Sequence, residues 1–161
     1  MNNYYIHDTP IGELIIEFNL DYLIKINFKD SLIKHTRNFS LKNKSLILDK
    51  VIEQLNEYFF NDRKIFTIAY TLNTTPFYRR VLSQVSKIPF GEIRTYKQIA
   101  KKIQNKNAYR AVANANANNP IPIIIPCHRV IKSSGETGGY GGGEKNKKYL
   151  LKHENKLGHF Y

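Results

Sequence analysis

The stretch Asn119-Pro-Ile-Pro-Ile-Ile-Ile-Pro-Cys-His-Arg-Val-Ile131 holds the only cysteine of the 161-residue chain, Cys127, followed at once by His128 and Arg129. Ile123, Ile124 and Ile125 are β-branched and bounded by Pro122 and Pro126, which predicts a short, buried, extended segment. Such a segment holds Cys127 against a core and leaves the Cys-His pair at a cavity. A cysteine is a strong nucleophile as its thiolate, and a neighbouring base or positive field favours that form. A lone cysteine is more often an inert, buried hydrophobe, so the decision rests on what surrounds it.

Working outward, the residues before this stretch outline two helices. Thr95-Tyr-Lys-Gln98 is a capping box for a short helix carrying Tyr96, Ile99 and Ala100. A polar turn at residues 104–107 leads to Ala108-Tyr-Arg-Ala-Val-Ala-Asn-Ala-Asn-Ala117, built mostly of alanine with one arginine, Arg110. Two short helices joined by a tight turn have the outline of a helix-turn-helix. Small side chains let the second helix press close to a groove, although an alanine-rich helix packed on its own domain reads the same way. Upstream, Thr75-Pro76 caps a helix whose buried face is Phe77, Val81, Leu82, Val85 and Ile88, and Pro89-Phe-Gly91 ends it.

Downstream, residues 133–143 form a glycine-rich loop carrying Tyr140. It lacks the Gly-Lys-Ser/Thr ending of a phosphate loop and reads better as a mobile or close-packed wall beside the cysteine. Lys148, Tyr149, Leu150, Leu151, Glu154 and Leu157 then predict a closing helix. Glu154 is one of four acids among residues 79–161; it either orients His128 or pairs with a surface lysine.

The first half reads as scaffold. Leu14, Ile16 and Phe18 alternate with Glu13, Ile15 and Glu17. After a turn at residues 19–21, Ile24, Ile26 and Phe28 alternate again, predicting a hairpin. Residues 29–45 are polar and basic, a loop or a ragged strand. From Leu46 the period becomes helical, with Leu48, Val51, Ile52, Leu55, Tyr58 and Phe59 on one face. Phe66, Ile68 and Tyr70 predict one further strand. The fold class is therefore α+β: a small N-terminal domain over residues 1–73, with an antiparallel sheet and a helix, then a mostly helical domain over residues 74–161.

Charge divides along the same line. The formal net charge is +12; residues 1–78 carry 9 basic and 9 acidic side chains, whereas residues 79–161 carry 16 basic against 4 acidic. A one-sided basic half points to a polyanion, most simply nucleic acid; a lysine-rich solvated surface is the alternative. No apolar run approaches membrane-spanning length. The start, Met1-Asn-Asn-Tyr-Tyr5, lacks the basic-then-apolar pattern of a leader, so a cytoplasmic location is expected. One cysteine excludes an internal disulfide and a multi-cysteine zinc site, and fits a reducing compartment.

From Thr75 to Leu157 the chain resembles the O6-alkylguanine-DNA alkyltransferase family. Pro126-Cys-His-Arg-Val130 carries the resemblance. It is reinforced in order by Ile88-Pro-Phe-Gly91, Thr95-Tyr96, Arg110-Ala-Val112, Asn119-Pro120, Ser134-Gly135, Tyr140 and His153-Glu154. The first half resembles it more loosely, through Thr9-Pro-Ile-Gly12 and Gln54-Leu-Asn-Glu-Tyr-Phe59. Departures are Ala113, where a glycine is usual, and the pattern Thr75-Pro-Phe-Tyr78 with Val81-Leu82.

The resemblance implies direct reversal of DNA damage. The alkyl group of O6-alkylguanine, and of O4-alkylthymine, passes to Cys127 once per molecule. Partners are double-stranded DNA bound through its minor groove, with no membrane, metal or cofactor, and the protein is a monomer. It implies that His128, through a water, and Glu154 favour the thiolate, that Tyr96 gives a proton to the purine, and that Asn119 ties the recognition helix to the cysteine segment. Arg110 is implied as the finger filling the base stack, with Thr95, Tyr96, Ala108, Ala111 and Ala115 also meeting DNA. Pro122, Val130, Tyr140, Gly141 and Gly142 are implied as the pocket wall. Three other readings stay open: a lesion sensor that transfers nothing, although relatives of that kind replace the cysteine; a helix-turn-helix regulator, which leaves the Cys-His segment without a purpose; and a cysteine hydrolase, which leaves the basic half unexplained.

Overall fold

The computed structural model describes residues 2–29 and 45–155. Most of the polar 29–45 segment, and Leu157, lie outside these residues. The chain forms two compact units, Met1–Leu72 and Asn73–Tyr161.

In the first unit, β1 (Asn3–Thr9), β2 (Gly12–Phe18) and β3 (Leu23–Phe28) make an antiparallel sheet in the order β1-β2-β3. Pro10 and Ile11 make the turn between β1 and β2, and Gly12, the first residue of β2, takes a φ of 100° as the chain leaves it. Leu14, Ile15, Ile16 and Phe18 are all buried, so β2, the central strand, is covered more fully than its polar alternation predicts. Helix α1 (Leu46–Phe60) is capped by Ser45, which accepts the Leu48 N–H, and buries Leu48, Val51, Leu55, Tyr58 and Phe59 at helical spacing. It packs on β1 and β3.

The strand expected from Phe66, Ile68 and Tyr70 does not form. Only a single bridge joins Tyr70 to Leu23. The Gln54 side chain explains why: it accepts the Thr67 N–H at 2.9 Å and donates to the Thr67 hydroxyl at 2.8 Å. A side chain thus satisfies backbone that a ladder would otherwise have claimed.

The second unit opens with α2 (Pro76–Val85), capped by Thr75 with Pro76 in its first turn. Helix α3 (Tyr96–Lys102) follows the capping box in full: the Thr95 hydroxyl accepts the Gln98 N–H at 3.2 Å, and Gln98 accepts the Thr95 N–H at 2.8 Å. Helix α4 (Tyr109–Ala117) packs on α2 and α3 through Val112, Ala115 and Asn116. Ala113 sits half-buried within it.

The isoleucine run is not extended. It folds as a tight turn in which the Ile125 N–H reaches the Ile121 carbonyl at 2.9 Å, and Ile123 adopts a φ of 74°. That conformation is unfavourable for a β-branched residue. Three closely spaced prolines limit the main-chain donors a ladder would use, and burial of every residue from Ile121 to Val130 holds the turn in place. Cys127–Arg129 then form one turn of 3-10 helix. Two short strands, β4 (Arg94–Thr95) and β5 (Val130–Ile131), pair in parallel and set the start of α3 beside the end of the cysteine turn. Helix α5 (Glu144–Glu154) begins after Gly143, earlier than the sequence pattern indicates.

Candidate active site

Cys127 is 4% exposed and its neighbour His128 fully buried. The His128 ring nitrogen Nε2 meets Glu154 Oε1 at 2.6 Å, across 26 positions of chain. Among the described residues no lysine is the partner of Glu154. Its second partner is Arg129, whose Nε meets Oε2 at 2.8 Å and whose second terminal nitrogen meets Oε1 at 2.9 Å, a bidentate clasp. The remaining guanidinium nitrogen of Arg129 donates to the Ile88 carbonyl at 2.5 Å. The Gly91 N–H approaches Glu154 Oε2 at 3.4 Å, and a Cβ on Gly91 would stand 3.3 Å from the Glu154 carbonyl oxygen. The Ile-Pro-Phe-Gly segment therefore acts as a wall against Glu154.

These contacts fix protonation states. Burial pushes the Glu154 carboxyl up, but His128 and Arg129 outweigh it and hold the group well below the usual carboxylate range. Burial pushes His128 down, and the pull of Glu154 only partly opposes it. At neutral pH the pair is a carboxylate and a neutral imidazole. A carboxylate only accepts, so Nε2 carries the hydrogen and Nδ1 keeps a lone pair. Nδ1 is buried and has no hydrogen-bond partner among the described residues.

The Cys127 thiol is pushed up to about 11, burial being the largest cause; hydrogen bonding from Asn119, the charge of Lys147 and the backbone N–H groups of Cys127 and His128 pull the other way. The resting group is the thiol. Lys147, which sequence reading passed over as one lysine among many, is fully buried. Its Nζ donates to the Val130 carbonyl at 2.7 Å, approaches that of Gly139 at 3.4 Å, and lies 5.9 Å from the centre of the Tyr96 ring. Burial lowers its ammonium to about 8, against the opposing pull of Cys127. A cation held by carbonyl dipoles thus acts on the thiol through its charge.

Two carboxamides staple the end of α4 to this segment. Asn119 donates to the Ile125 carbonyl at 2.8 Å and accepts the Ile121 N–H at 3.0 Å, bracing the isoleucine turn. Asn116, absent from the sequence-based set, donates to the Cys127 carbonyl at 3.1 Å. Its spacing from Val112 was legible as a buried helical face, but not its bond. Tyr96, with 9% exposure, opens α3. Its phenol is raised by burial and by Cys127. A Cβ on Gly138 would come within 2.7 Å of its hydroxyl, so the glycine-rich loop is a close-packed wall at that point. Around the cysteine turn, Pro122 and Val130 are buried, Tyr140 and Gly142 half-buried and Gly141 exposed.

On the outer face of α4, Arg110 and Ala111 are exposed and Ala108 half-buried, with Thr95 half-buried at the cap of α3. The Arg110 guanidinium lies 5.9 Å from the centre of the Tyr109 ring, and Lys97 approaches the same ring at 5.7 Å. Ala115 corrects the expected surface: it has no exposure and packs into the unit, because it follows Val112 by three positions on the buried stripe. A groove of about 610 Å³ lies between α2 and α3, lined by residues such as Gln84, Lys87 and Lys102; Cys127 is not part of it. Among the described residues no cluster of three or more metal-ligating side chains occurs.

A two-helix motif of DNA-binding outline, carrying one sheltered thiol beside a His-Glu-Arg network, defines a protein that pairs surface recognition with a single nucleophile. Comparison with known proteins agrees. The model described as the DNA-binding domain of 6-O-methylguanine DNA methyltransferase matches residues 76–156, and that for its ribonuclease-like domain matches residues 2–72. The methylated-DNA–protein-cysteine methyltransferase of Methanosarcina mazei is 41% identical over 154 residues, covering 94% of this chain and 96% of its own. The constitutive enzyme of that name from Bacillus subtilis is 35% identical over 159 residues, covering 94% and 93%. The crystal structure of Mycobacterium tuberculosis OGT in complex with DNA superposes with a TM-score of 0.83 at 37% identity, covering 95% of this chain and 92% of that one. The chain belongs to the 6-O-methylguanine DNA methyltransferase family.

Proposed function

We propose that the protein repairs double-stranded DNA by direct reversal, moving the alkyl group of O6-alkylguanine irreversibly onto Cys127 Sγ, one lesion per molecule. The observation that carries this reading is the buried Cys127 followed by a buried His128 whose Nε2 meets Glu154, the carboxylate being clasped in turn by Arg129. O4-alkylthymine presents the same alkyl–oxygen bond and is a second substrate of the same chemistry.

Docking uses the exposed face of α4 in the minor groove, with Ala108 and Ala111 allowing close approach and Thr95 at the neighbouring helix start. Arg110 fills the stack left by the extruded base, since the reacting atom is out of reach inside a duplex. The extruded base enters beside Tyr96, walled by Pro122, Val130, Tyr140, Gly141 and Gly142. The Val130 carbonyl receives Lys147 on one lone pair, and a carbonyl's second lone pair can take the guanine amine.

The thiol proton leaves through a water to His128 Nδ1; Glu154 stabilises the imidazolium, and Lys147 the thiolate. Sulfur attacks the saturated carbon as the bond to O6 breaks, and the released electron pair enters the purine. Tyr96 protonates the ring and regains its proton from the imidazolium through water. Sulfur loses a proton and gains the alkyl group; guanine loses the alkyl group and gains a proton. Nothing is oxidised, and the protons move between the side chains named and bridging water. The thioether has no resolving thiol in the chain, so the molecule is spent. A monomer in the cytoplasm, where the thiol stays reduced, suits this role. Cys127→Ala tests it: transfer vanishes while duplex binding is kept, whereas loss of both marks a structural cysteine.

A further inference from the structure

Helix α3 carries Lys97, Lys101 and Lys102, all exposed. Lys97 Nζ lies 5.7 Å from the centre of the Tyr109 ring, which Arg110 on the outer face of α4 also approaches. Lys101 stands four positions after Lys97, on the same face of α3 and about 6 Å further along its axis. It opens onto the groove of about 610 Å³ between α2 and α3, whose other cations are Lys87, Arg94 and Lys102. A second hollow of about 580 Å³ shares Gln84, Lys102 and Gln104 with the first and adds Arg79 and Arg80. The two make one trough, and a line of positive charge runs into it from beside Arg110.

No aspartate or glutamate lines either hollow among the described residues. Arg94 has Glu92 beside it at 2.6 Å, and Arg80 donates to the Ile103 carbonyl at 2.6 Å. Lys87, Lys101 and Lys102 have no salt-bridge partner among the described residues. Cations gathered without counter-ions repel one another, and a polyanion relieves that repulsion. The floor beneath them is aliphatic, with Ile88 and Ile99 both buried. Low-dielectric walls under charges of one sign focus the field into a cleft. The recognition helix itself offers little charge: Arg110 is the one cation of α4, in a sequence of small and amide side chains. Affinity for a phosphate backbone must then come from outside that helix.

We propose that the trough between α2 and α3 is a second nucleic-acid contact, taking the phosphodiester backbone of the docked duplex beyond the base pairs that α4 meets. Its occupant is backbone and not base. Cations spaced along an open channel match a repeating anion, and no aromatic side chain lines either hollow, among the described residues, to stack an unpaired base. The contact is indifferent to sequence. It fixes register and holds the protein on undamaged DNA while a lesion is sought. The inference rests on the DNA-repair reading given above and extends it to residues outside both α4 and the pocket of Cys127.

The salt dependence of duplex binding tests it. Affinity for an unmodified duplex is measured across a range of salt for the parent and for the combined Lys87→Gln, Lys101→Gln and Lys102→Gln variant. A control variant, Lys145→Gln, Lys148→Gln and Lys152→Gln, removes the same formal charge from the exposed side of α5. Thermal melting and transfer from free O6-benzylguanine, which carries no phosphate, show that each variant is folded and reactive. Each phosphate contact contributes about 0.9 to the slope of log affinity against log salt, so the trough variant should flatten that slope by about 2 to 3. The control should flatten it by less than about 1. Equal flattening by both sets, or an unchanged slope in the trough variant, overturns the proposal. A loss confined to a second duplex taken up in excess DNA also overturns it, because the trough would then serve a separate molecule. If the triple variant melts early, the three single variants replace it, each expected to lower the slope by about 1. A parent that binds no duplex or leaves Cys127 unalkylated would count against the repair reading instead, so the two failures are distinguishable.

Discussion

A carboxylate taken out of water must be held by cations and donors or it neutralises. Glu154 has both, and the consequence is measurable. Its folded-state carboxyl lies well below the ordinary glutamate value. A depressed carboxyl contributes stability that is complete above the unfolded value and lost as pH falls through the folded one. Stability should therefore decline below about pH 4.5, and Glu154→Gln should flatten that acid limb in thermal melts. At pH 7 the same substitution leaves Arg129 buried without its counter-ion and should cost about 3 kcal/mol. It also removes the charge that stabilises an imidazolium at His128, so transfer should slow at least about tenfold. An unchanged acid limb would mean that Glu154 is not the ionised partner described here. Cys127 and His128 became legible through the motifs around them rather than by adjacency alone, and Glu154, rare in a basic half, was open to a surface lysine as well as to His128. Arg129 and Lys147 were not legible. Whether a cation is buried depends on a partner 25 residues away for Arg129, and on carbonyls presented by a loop and a short strand for Lys147.

At the scale of elements, local rules carried most of the reading. Caps at Ser45, Thr75 and Thr95 mark helix starts where sequence logic puts them, because each satisfies backbone donors within its own turn. The failures are non-local. The isoleucine run has strand composition, yet its prolines and its burial turn it back on itself; the 66–70 segment loses its ladder to one glutamine side chain. The parallel pair β4–β5 joins segments more than thirty residues apart, and no periodicity announces two residues of strand. Helix α4 has two faces with separate tasks. Arg110 on the outer face should be needed only where a stack must be held open. Arg110→Ala is expected to slow repair in duplex DNA about tenfold or more while leaving transfer from free O6-benzylguanine nearly unchanged. Equal loss on both substrates would remove the finger role and make Arg110 part of the reacting site.

At the scale of the molecule, charge and chemistry are segregated. The whole excess of basic residues belongs to residues 79–161, which also hold the thiol, so the unit that would approach a polyanion is the unit that reacts. The other unit is a sheet and helix whose described residues carry none of the proposed chemistry. A buried thiol raised to about 11 is inert until its proton is drawn off, which spares a single-use nucleophile from loss to adventitious electrophiles. The most direct test of that single use is intact-protein mass after incubation with excess O6-methylguanine duplex, followed by peptide mapping. One methyl group on Cys127, saturating at one per protein, is the predicted result. A mass unchanged despite tight binding to the lesion, or turnover beyond one lesion per molecule, would contradict it.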